Sequence, residues 1–453
     1  MRYSIIKKTQ LEGAKRLDAE YYQPEYLNVI KEISKFKIGK LKDILDDIRY
    51  GLYVEPDYKE EGVNFLRALN LVDYGIDGEI LKIKEKEIPN KKYLLNEGDV
   101  LIVRSGANTG NVGIIENYLK NSTFGSYTIC LRTTKINPYF LYIFFNSKFG
   151  KLQTLRLQTG MAQPNLNIPN IEEIKIPLSI NKELQEEIEK IVLKAFEIKE
   201  NSKSLYSQAE SLLLEELGLK DFESEGGLWS VINLSEAKKA NRLDAEYFQP
   251  KYEKLISKIK IKNKDIQTLE TFIKTYSTGF PFKSENYQET GIPLIRINNI
   301  RKGYIDLSNS AYLSEKDFLL SPKDTANSGD IVLSMSGTIG MTAIISDDIV
   351  KCSINQRILK ITPKDKDIDK NYLVLLLNSI IGSYQLERIG TGGVQTNISY
   401  KDIKSILIPI LPKQIQQKIA ELVKKSHEAR QKAKNLLEEA KQKVEDLIEN
   451  SSK

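Results

Sequence analysis

The sequence predicts an α+β protein. Two mixed, β-rich domains stand in tandem pseudo-repeat, separated by two long helices that pair as an antiparallel coiled coil. Three observations predict this: a block-by-block internal duplication, short apolar runs punctuated by Gly turns in each copy, and two matching heptad seams, one central and one C-terminal.

The duplication comes first because it divides the chain. RLDAEYYQPEY at Arg16–Tyr26 recurs as RLDAEYFQPKY at Arg242–Tyr252. GVNFLRALNLVDYGID at Gly62–Asp77 matches GIPLIRINNIRKGYID at Gly291–Asp306, and GDVLIVRSGANTGNVGII at Gly98–Ile115 matches GDIVLSMSGTIGMTAII at Gly329–Ile345. TGMAQPNLNIPNIEEIKIPL at Thr159–Leu178 matches TGGVQTNISYKDIKSILIPI at Thr391–Ile410. The order is kept and the offset drifts only from 226 to 232 positions. A unit of this length is a duplicated domain, not a solenoid repeat. The expected boundaries are domains over 1–178 and 218–410, with helices over 179–217 and 411–453.

Within each copy, Val100–Val103 and Ile331–Leu333 read as short buried strands. Each is entered from a Gly-Asp turn and left at Ser-Gly. Tyr139–Phe145 and Tyr372–Leu377 are apolar runs whose type periodicity alone does not decide. Asn137-Pro138-Tyr139-Phe140 is faintly similar to the Asn-Pro-Pro-Tyr motif of amino-methyltransferases. It lacks the second proline and a preceding glycine-rich cofactor loop, so it reads as a helix start.

The first long helix carries its seam on Leu184, Ile188, Ile191, Ala195, Ile198, Ser202, Leu205, Ala209, Leu212 and Glu216. The second repeats it on Ile415, Ile419, Leu422, Ser426, Ala429, Ala433, Leu436 and Ala440, then weakens at Lys443, where Val444 and Ile448 offer a shifted register. Alternating steps of four and three place these residues on one stripe. The plain alternative is two amphipathic helices that each pack on their own domain. Paired antiparallel, helices of this length would make a rod of about 50 Å at ~1.5 Å per residue. B-DNA repeats every ~34–36 Å.

Composition sets limits. The chain has 453 residues, 41% hydrophobic and 28% charged, with a net charge of +6. This permits nucleic-acid binding without demonstrating it. No apolar stretch is long enough for a membrane span, and the N-terminal segment has no apolar signal core, so a cytoplasmic protein is expected. Cys130 and Cys352 are the only cysteines and are expected to be reduced structural thiols. His427 is the only histidine, which excludes histidine triads and His-rich metal sites; a packing or solvated role is expected for it. No phosphate-loop or dinucleotide fingerprint occurs, and the carboxylates show no nuclease spacing. No catalytic or metal-binding residue is assigned.

What remains is polar readout chemistry. Arg67 and Asn70 match Arg296 and Asn299, and Gln163 and Asn165 match Gln395 and Asn397. Arg suits guanine edges and phosphates, and Asn or Gln suits adenine edges. Each residue alone also has a structural reading as a turn or cap. The SGANTG and SGTIG segments add Arg104, Ser105 and Asn108 in the first copy, and Ser336 and Thr338 in the second. They read as tight turns, as loops whose backbone nears DNA phosphate, or as both. Residues identical in both copies cannot distinguish two different sequences, so they position backbone while divergent residues specify. Divergent positions include Arg104 against Met335, Ala107-Asn108 against Thr338, and Tyr50–Tyr58 against Thr278–Tyr287.

The duplicated RLDAEY segment, the SGANTG and SGTIG turns, the TG…Q.N…IP blocks and the two long helices together resemble the specificity (S) subunit of Type I restriction-modification enzymes, over nearly the whole chain. The resemblance implies two target recognition domains, each reading one half of a split sequence in double-stranded DNA. It implies a coiled coil that sets the unread spacer, and docking of two methyltransferase (M) subunits that use S-adenosylmethionine. It also implies motor-nuclease (R) subunits that use ATP and magnesium, and no cofactor or catalysis in this chain. Two other readings stay open: a two-headed protein scaffold without DNA readout, and an enzyme whose active site has no recognisable motif.

Overall fold

The computed structural model describes residues 4–8, 11, 16–54, 56–73, 75–106, 108–160, 164–223, 230–308, 310–364, 368–390 and 397–450. The chain divides into two compact units: Met1–Lys199 together with Gln431–Lys453, and Glu200–Arg430.

The first unit is built on a four-stranded antiparallel sheet in the order Asp47–Tyr50, Thr128–Arg132, Val100–Val103, Val112–Ile114. Val100–Val103 is buried on both faces, which explains its unbroken apolar run. A smaller sheet orders Leu81–Ile83, Val63–Leu66 and Thr123–Phe124, the last pair parallel. Ile38–Lys40 pairs with Lys175–Pro177, tying the chain before the sheet to the IP block after it.

The second unit repeats this frame. Its main sheet runs Ile273–Ser277, Ile358–Pro363, Ile331–Ser334, Thr342–Ile344, in the same order and sense. Its smaller sheet has four strands: Ala311–Leu313, Ile292–Ile295, Cys352–Ile354 and Thr325–Ala326. Ile266–Thr268 pairs with Leu407–Pro409. Equivalent glycines leave the edge strand of each main sheet. A Cβ on Gly51 would sit 2.2 Å from the Gly125 carbonyl oxygen, and one on Gly279 would sit 2.0 Å from that of Asn355. No side chain fits there, so glycine stands in both copies.

The undecided apolar runs are helices, Pro138–Asn146 and Lys370–Asn378. Their starts explain why. Asn137 Oδ1 accepts from the amides of Tyr139 and Phe140, and Asp369 Oδ1 from those of Asn371 and Tyr372. Both helices are buried almost throughout, so no amphipathic period marks them.

The long helices are Lys182–Glu216 and Lys413–Asn450. In the first unit, Ile188, Val192, Ala195 and Phe196 share a core with Leu437, Ala440, Val444 and Ile448, and Lys443 Nζ lies 2.8 Å from Glu187. The shifted register at Lys443 is therefore the buried one. In the second unit, Ala209 and Leu213 share a core with Ile419 and Val423. There Ser202 Oγ donates to the Ser426 carbonyl at 2.8 Å, and Ser426 Oγ donates to the Ser202 carbonyl at 2.7 Å. The seam differs from a simple large-residue stripe. Ile188, Ile419 and the small residues Ala195, Ser202, Ala209, Ser426, Ala433 and Ala440 are buried. Leu184, Ile191, Ile198, Leu205, Leu212, Ile415, Leu422 and Leu436 are half-buried. Val192, Phe196, Leu213, Val423 and Leu437, off the expected seam, are buried because each helix also packs on the core of its unit.

Among the described residues, no helix is long and apolar enough to cross a membrane. Cys130 and Cys352 are buried free thiols, and burial pushes both thiol pKa values up, that of Cys352 to about 12.

Candidate nucleic-acid interface

The SG turns and the Q.N blocks, separated by about sixty residues in sequence, meet in both units. In the first, Arg104 follows the buried strand Val100–Val103. Its amide donates to the Tyr127 carbonyl at 2.9 Å, and its carbonyl accepts from Leu166 N at 2.8 Å. Ser105 then pairs with Asn165 as an isolated antiparallel bridge. The Arg104 guanidinium lies 4.6 Å from the centre of the Tyr50 ring, and its Nη2 donates to Asn165 Oδ1 at 3.3 Å. Thr109 Oγ1 closes the turn onto the carbonyls of Gly106 and Pro164.

In the second unit, Met335 N donates to the Arg357 carbonyl at 2.8 Å, and Ile398 N donates to the Met335 carbonyl at 3.0 Å. Ser336 bridges to Asn397 as Ser105 does to Asn165. Met335 stands here in the place of Arg104, and Arg357, the residue before the neighbouring strand Ile358–Pro363, stands where the first unit has Tyr127. Tyr127 is 60% exposed. Thr338, Arg357 and Asn397 are exposed, whereas Asn108 and Asn165 are half-buried. Ser105 and Ser336 are buried, so their side chains support the turn from inside and offer little surface to a base.

Asn70 and Asn299 do not face solvent. They are 0% and 1% exposed. Asn70 Oδ1 accepts from Arg67 N at 2.9 Å, and its Nδ2 donates to the carbonyls of Asp77 and Glu79. Asn299 Oδ1 accepts from Arg296 N at 2.9 Å, and its Nδ2 donates to the Asp306 carbonyl and Ser310 Oγ. A buried amide with both ends engaged has no free edge for adenine. These residues brace the turn after the strand, which accounts for their recurrence. Arg67 and Arg296 stay half-buried, each 5.7 Å from a tyrosine ring, Tyr58 and Tyr287 respectively. Both tyrosines end the divergent loops, so a shared arginine props a variable segment. Gln163 and Gln395 lie outside the described residues.

The repeated RLDAEY segment proves to be a clasp. Arg16 holds Asp18 at 2.9 and 2.6 Å, and Arg242 holds Asp244 at 2.7 and 2.5 Å; the hydrogen bonds keep both carboxyls below the usual carboxylate range. Arg156 Nε donates to the Tyr21 carbonyl, and Arg388 Nε to that of Tyr247. Two guanidinium groups lie over each ring: Arg16 and Arg156 at Tyr21, Arg242 and Arg388 at Tyr247. Sequence reasoning missed Arg156 and Arg388, although they recur just before the TG blocks. It also missed Tyr127 and Arg357, which lie outside the matched blocks.

Residues 33–210 and 260–442 match the family described as the Type I restriction modification DNA specificity domain. The Type I restriction enzyme MjaVIII specificity subunit of Methanocaldococcus jannaschii is 26% identical over 389 residues, covering 83% of this chain and 82% of that protein. The putative type I restriction enzyme MjaX specificity subunit of the same organism is 26% identical over 434 residues, covering 91% and 92%. Among solved structures, the S subunit of a Type I restriction-modification system from M. genitalium aligns over 91% of this chain and 95% of that one. Its identity is 16% and its TM-score 0.40.

Proposed function

The chain belongs to the family of Type I restriction-modification specificity subunits, and from that premise we propose that it reads a split target in double-stranded DNA, one half with each unit. The observation that carries this reading is a shared frame with unlike exposed side chains. Sheet order, buried turn amides and Ser-to-Asn bridges repeat, yet exposed Tyr127 stands where the second unit has exposed Arg357, and half-buried Arg104 where it has buried Met335. Base edges carry sequence, and phosphates carry register. A frame fixed by buried residues can hold register while its exposed residues differ in what they read.

In this proposal the target recognition domains span 1–178 and 218–410. Arg67, Arg104, Asn108, Gln163 and Asn165 face DNA from the first, and Arg296, Thr338, Gln395 and Asn397 from the second. The helices pair antiparallel over their length, fix the unread gap and dock two methyltransferase subunits. Support comes from the reciprocal Ser202–Ser426 hydrogen bonds and the Glu187–Lys443 ion pair, whose sequence positions run in opposite directions. Motor-nuclease subunits join that assembly in the cytoplasm. S-adenosylmethionine, ATP and magnesium act in the partners, and this chain contributes recognition without catalysis.

Mapping methylated adenines in a host that expresses this chain with its methyltransferase partner tests the proposal. A two-part motif with a fixed gap is expected. An unchanged methylation pattern when this chain is deleted would rule the reading out.

A further inference from the structure

We propose that Arg357 is a specificity-determining residue of the second unit and contacts a guanine edge in the half-site which that unit reads. The inference rests on the DNA-reading function proposed above and names a position within it. Three observations point to Arg357. First, its backbone is left-handed, with φ of 69°; the only other non-glycine residues with positive φ among those described are Asn121 and Asn241. Asparagine tolerates that region through its short polar side chain, and arginine has no such compensation. Unusual backbone of this kind gathers where function over-determines it.

Second, the conformation is held from both sides. The Arg357 carbonyl accepts from Met335 N at 2.8 Å, and the adjoining Ile358 is in register with Ser334 in the main sheet. On the other side, Gln356 N donates to the Phe280 carbonyl, and Asn355 N to the Ile295 carbonyl. Third, the side chain is exposed, and among the described residues no hydrogen bond, ion pair or ring contact engages its guanidinium. Among the described residues, the other arginines lie over rings or on carboxylates, as Arg104 on Tyr50, Arg242 on Asp244 and Arg388 on Glu253. Arg357 is instead presented on a rigid strand end, by the backbone pairing that in the first unit presents Tyr127. Exposed Gln356 precedes it, and the Ser336–Asn397 bridge follows the Met335 it pairs with. A planar fork of donors fits guanine N7 and O6 and no other base in the major groove as well.

The test uses the chain assembled with its methyltransferase partner. Exchanging Gly51–Ser126 for the equivalent segment of another family member identifies the half-site read by the first unit, and hence the other. Arg357→Gly keeps the left-handed backbone and deletes the guanidinium; Arg357→Lys keeps the charge and loses the fork. Both variants should relax one guanine position in the second half-site, with discrimination there falling about ten-fold. The first half-site and the gap should stay unchanged, and Arg357→Gly should keep the wild-type urea midpoint or raise it. An unchanged motif in both variants overturns the inference and leaves the DNA-reading function standing. So does a uniform loss of affinity across sequences with a salt slope lower by about one, which marks a phosphate contact. A wild-type chain that yields no split motif removes the function itself and this inference with it.

Discussion

Gln153 and Lys175 hold one another in both directions: Gln153 Nε2 donates to the Lys175 carbonyl at 3.0 Å, and Lys175 N donates to Gln153 Oε1 at 2.9 Å. Gln385 and Leu407 repeat the pair at 3.1 and 2.9 Å. Each glutamine is buried on the helix before the TG block and grips the strand of the IP block. The loop between, which carries the Asn165 or Asn397 bridge, is thereby tied at both ends. Gln153→Ala should cost about 1–3 kcal/mol, since two backbone groups of half-buried Lys175 lose their buried partner. Gln153→Glu should fare no better, because a carboxylate cannot donate to the Lys175 carbonyl. Urea midpoints of both variants check this; a change below a few tenths of a kcal/mol would show that the clasp is dispensable.

The Ser202–Ser426 pair predicts a strong coupling. Each hydroxyl donates to the other helix's carbonyl, and both side chains are buried. Either single alanine variant should destabilise by about 1 kcal/mol, and the double variant by less than the sum. Ser202→Leu should be much worse, because the crossing leaves no volume for a larger side chain. A double-mutant cycle followed by denaturation measures the coupling, and strict additivity would contradict it.

His427 predicts a pH dependence. Burial, with the nearby Arg430 charge second, lowers its pKa from 6.5 to about 4. The folded state thus favours the neutral ring. Its stabilisation is full above about pH 6.5 and is lost as pH falls through the window down to about 4, by up to roughly 3 kcal/mol. The unfolding midpoint at pH 5 relative to pH 7 should drop more in the wild type than in His427→Gln. Equal drops would place the imidazole in contact with solvent.

The helices predict a geometric effect. One heptad inserted at matched positions in Lys182–Glu216 and Lys413–Asn450 keeps the seam in phase and adds about 10 Å at ~1.5 Å per residue. Methylation mapping should then report a longer gap between unchanged half-sites. Altered half-site letters with the original gap would contradict the spacer role.

The frame was readable because duplication repeats its signals. The Gly-Asp turn, the Ser-Gly exit and the helix seam each stand in the sequence twice, and the strands and long helices lie where these signals put them. Two kinds of residue escaped. Asn70 and Asn299 look like surface readers, because an amide side chain carries no mark of burial; only the carbonyls of Asp77, Glu79 and Asp306 reveal a brace. Arg357 escaped for the opposite reason. Its importance lies in a backbone angle and a cross-strand partner, neither of which is a pattern in residue types. The seam was legible in phase but not in width, since Val192, Phe196 and Leu213 also face cores assembled from distant parts of the chain.

The division of the chain bears on its synthesis. Glu200–Arg430 is one uninterrupted stretch, whereas the other unit needs both Met1–Lys199 and Gln431–Lys453. On the ribosome, Met1–Lys199 must therefore wait for Gln431–Lys453 before Ile188, Val192 and Phe196 are covered by Leu437, Val444 and Ile448. The unit translated second can close ahead of them. Until then the earlier segment carries an uncovered apolar stripe, the condition in which nascent chains aggregate. The order of completion is the reverse of the order of translation, and the final turns of helix act as the latch.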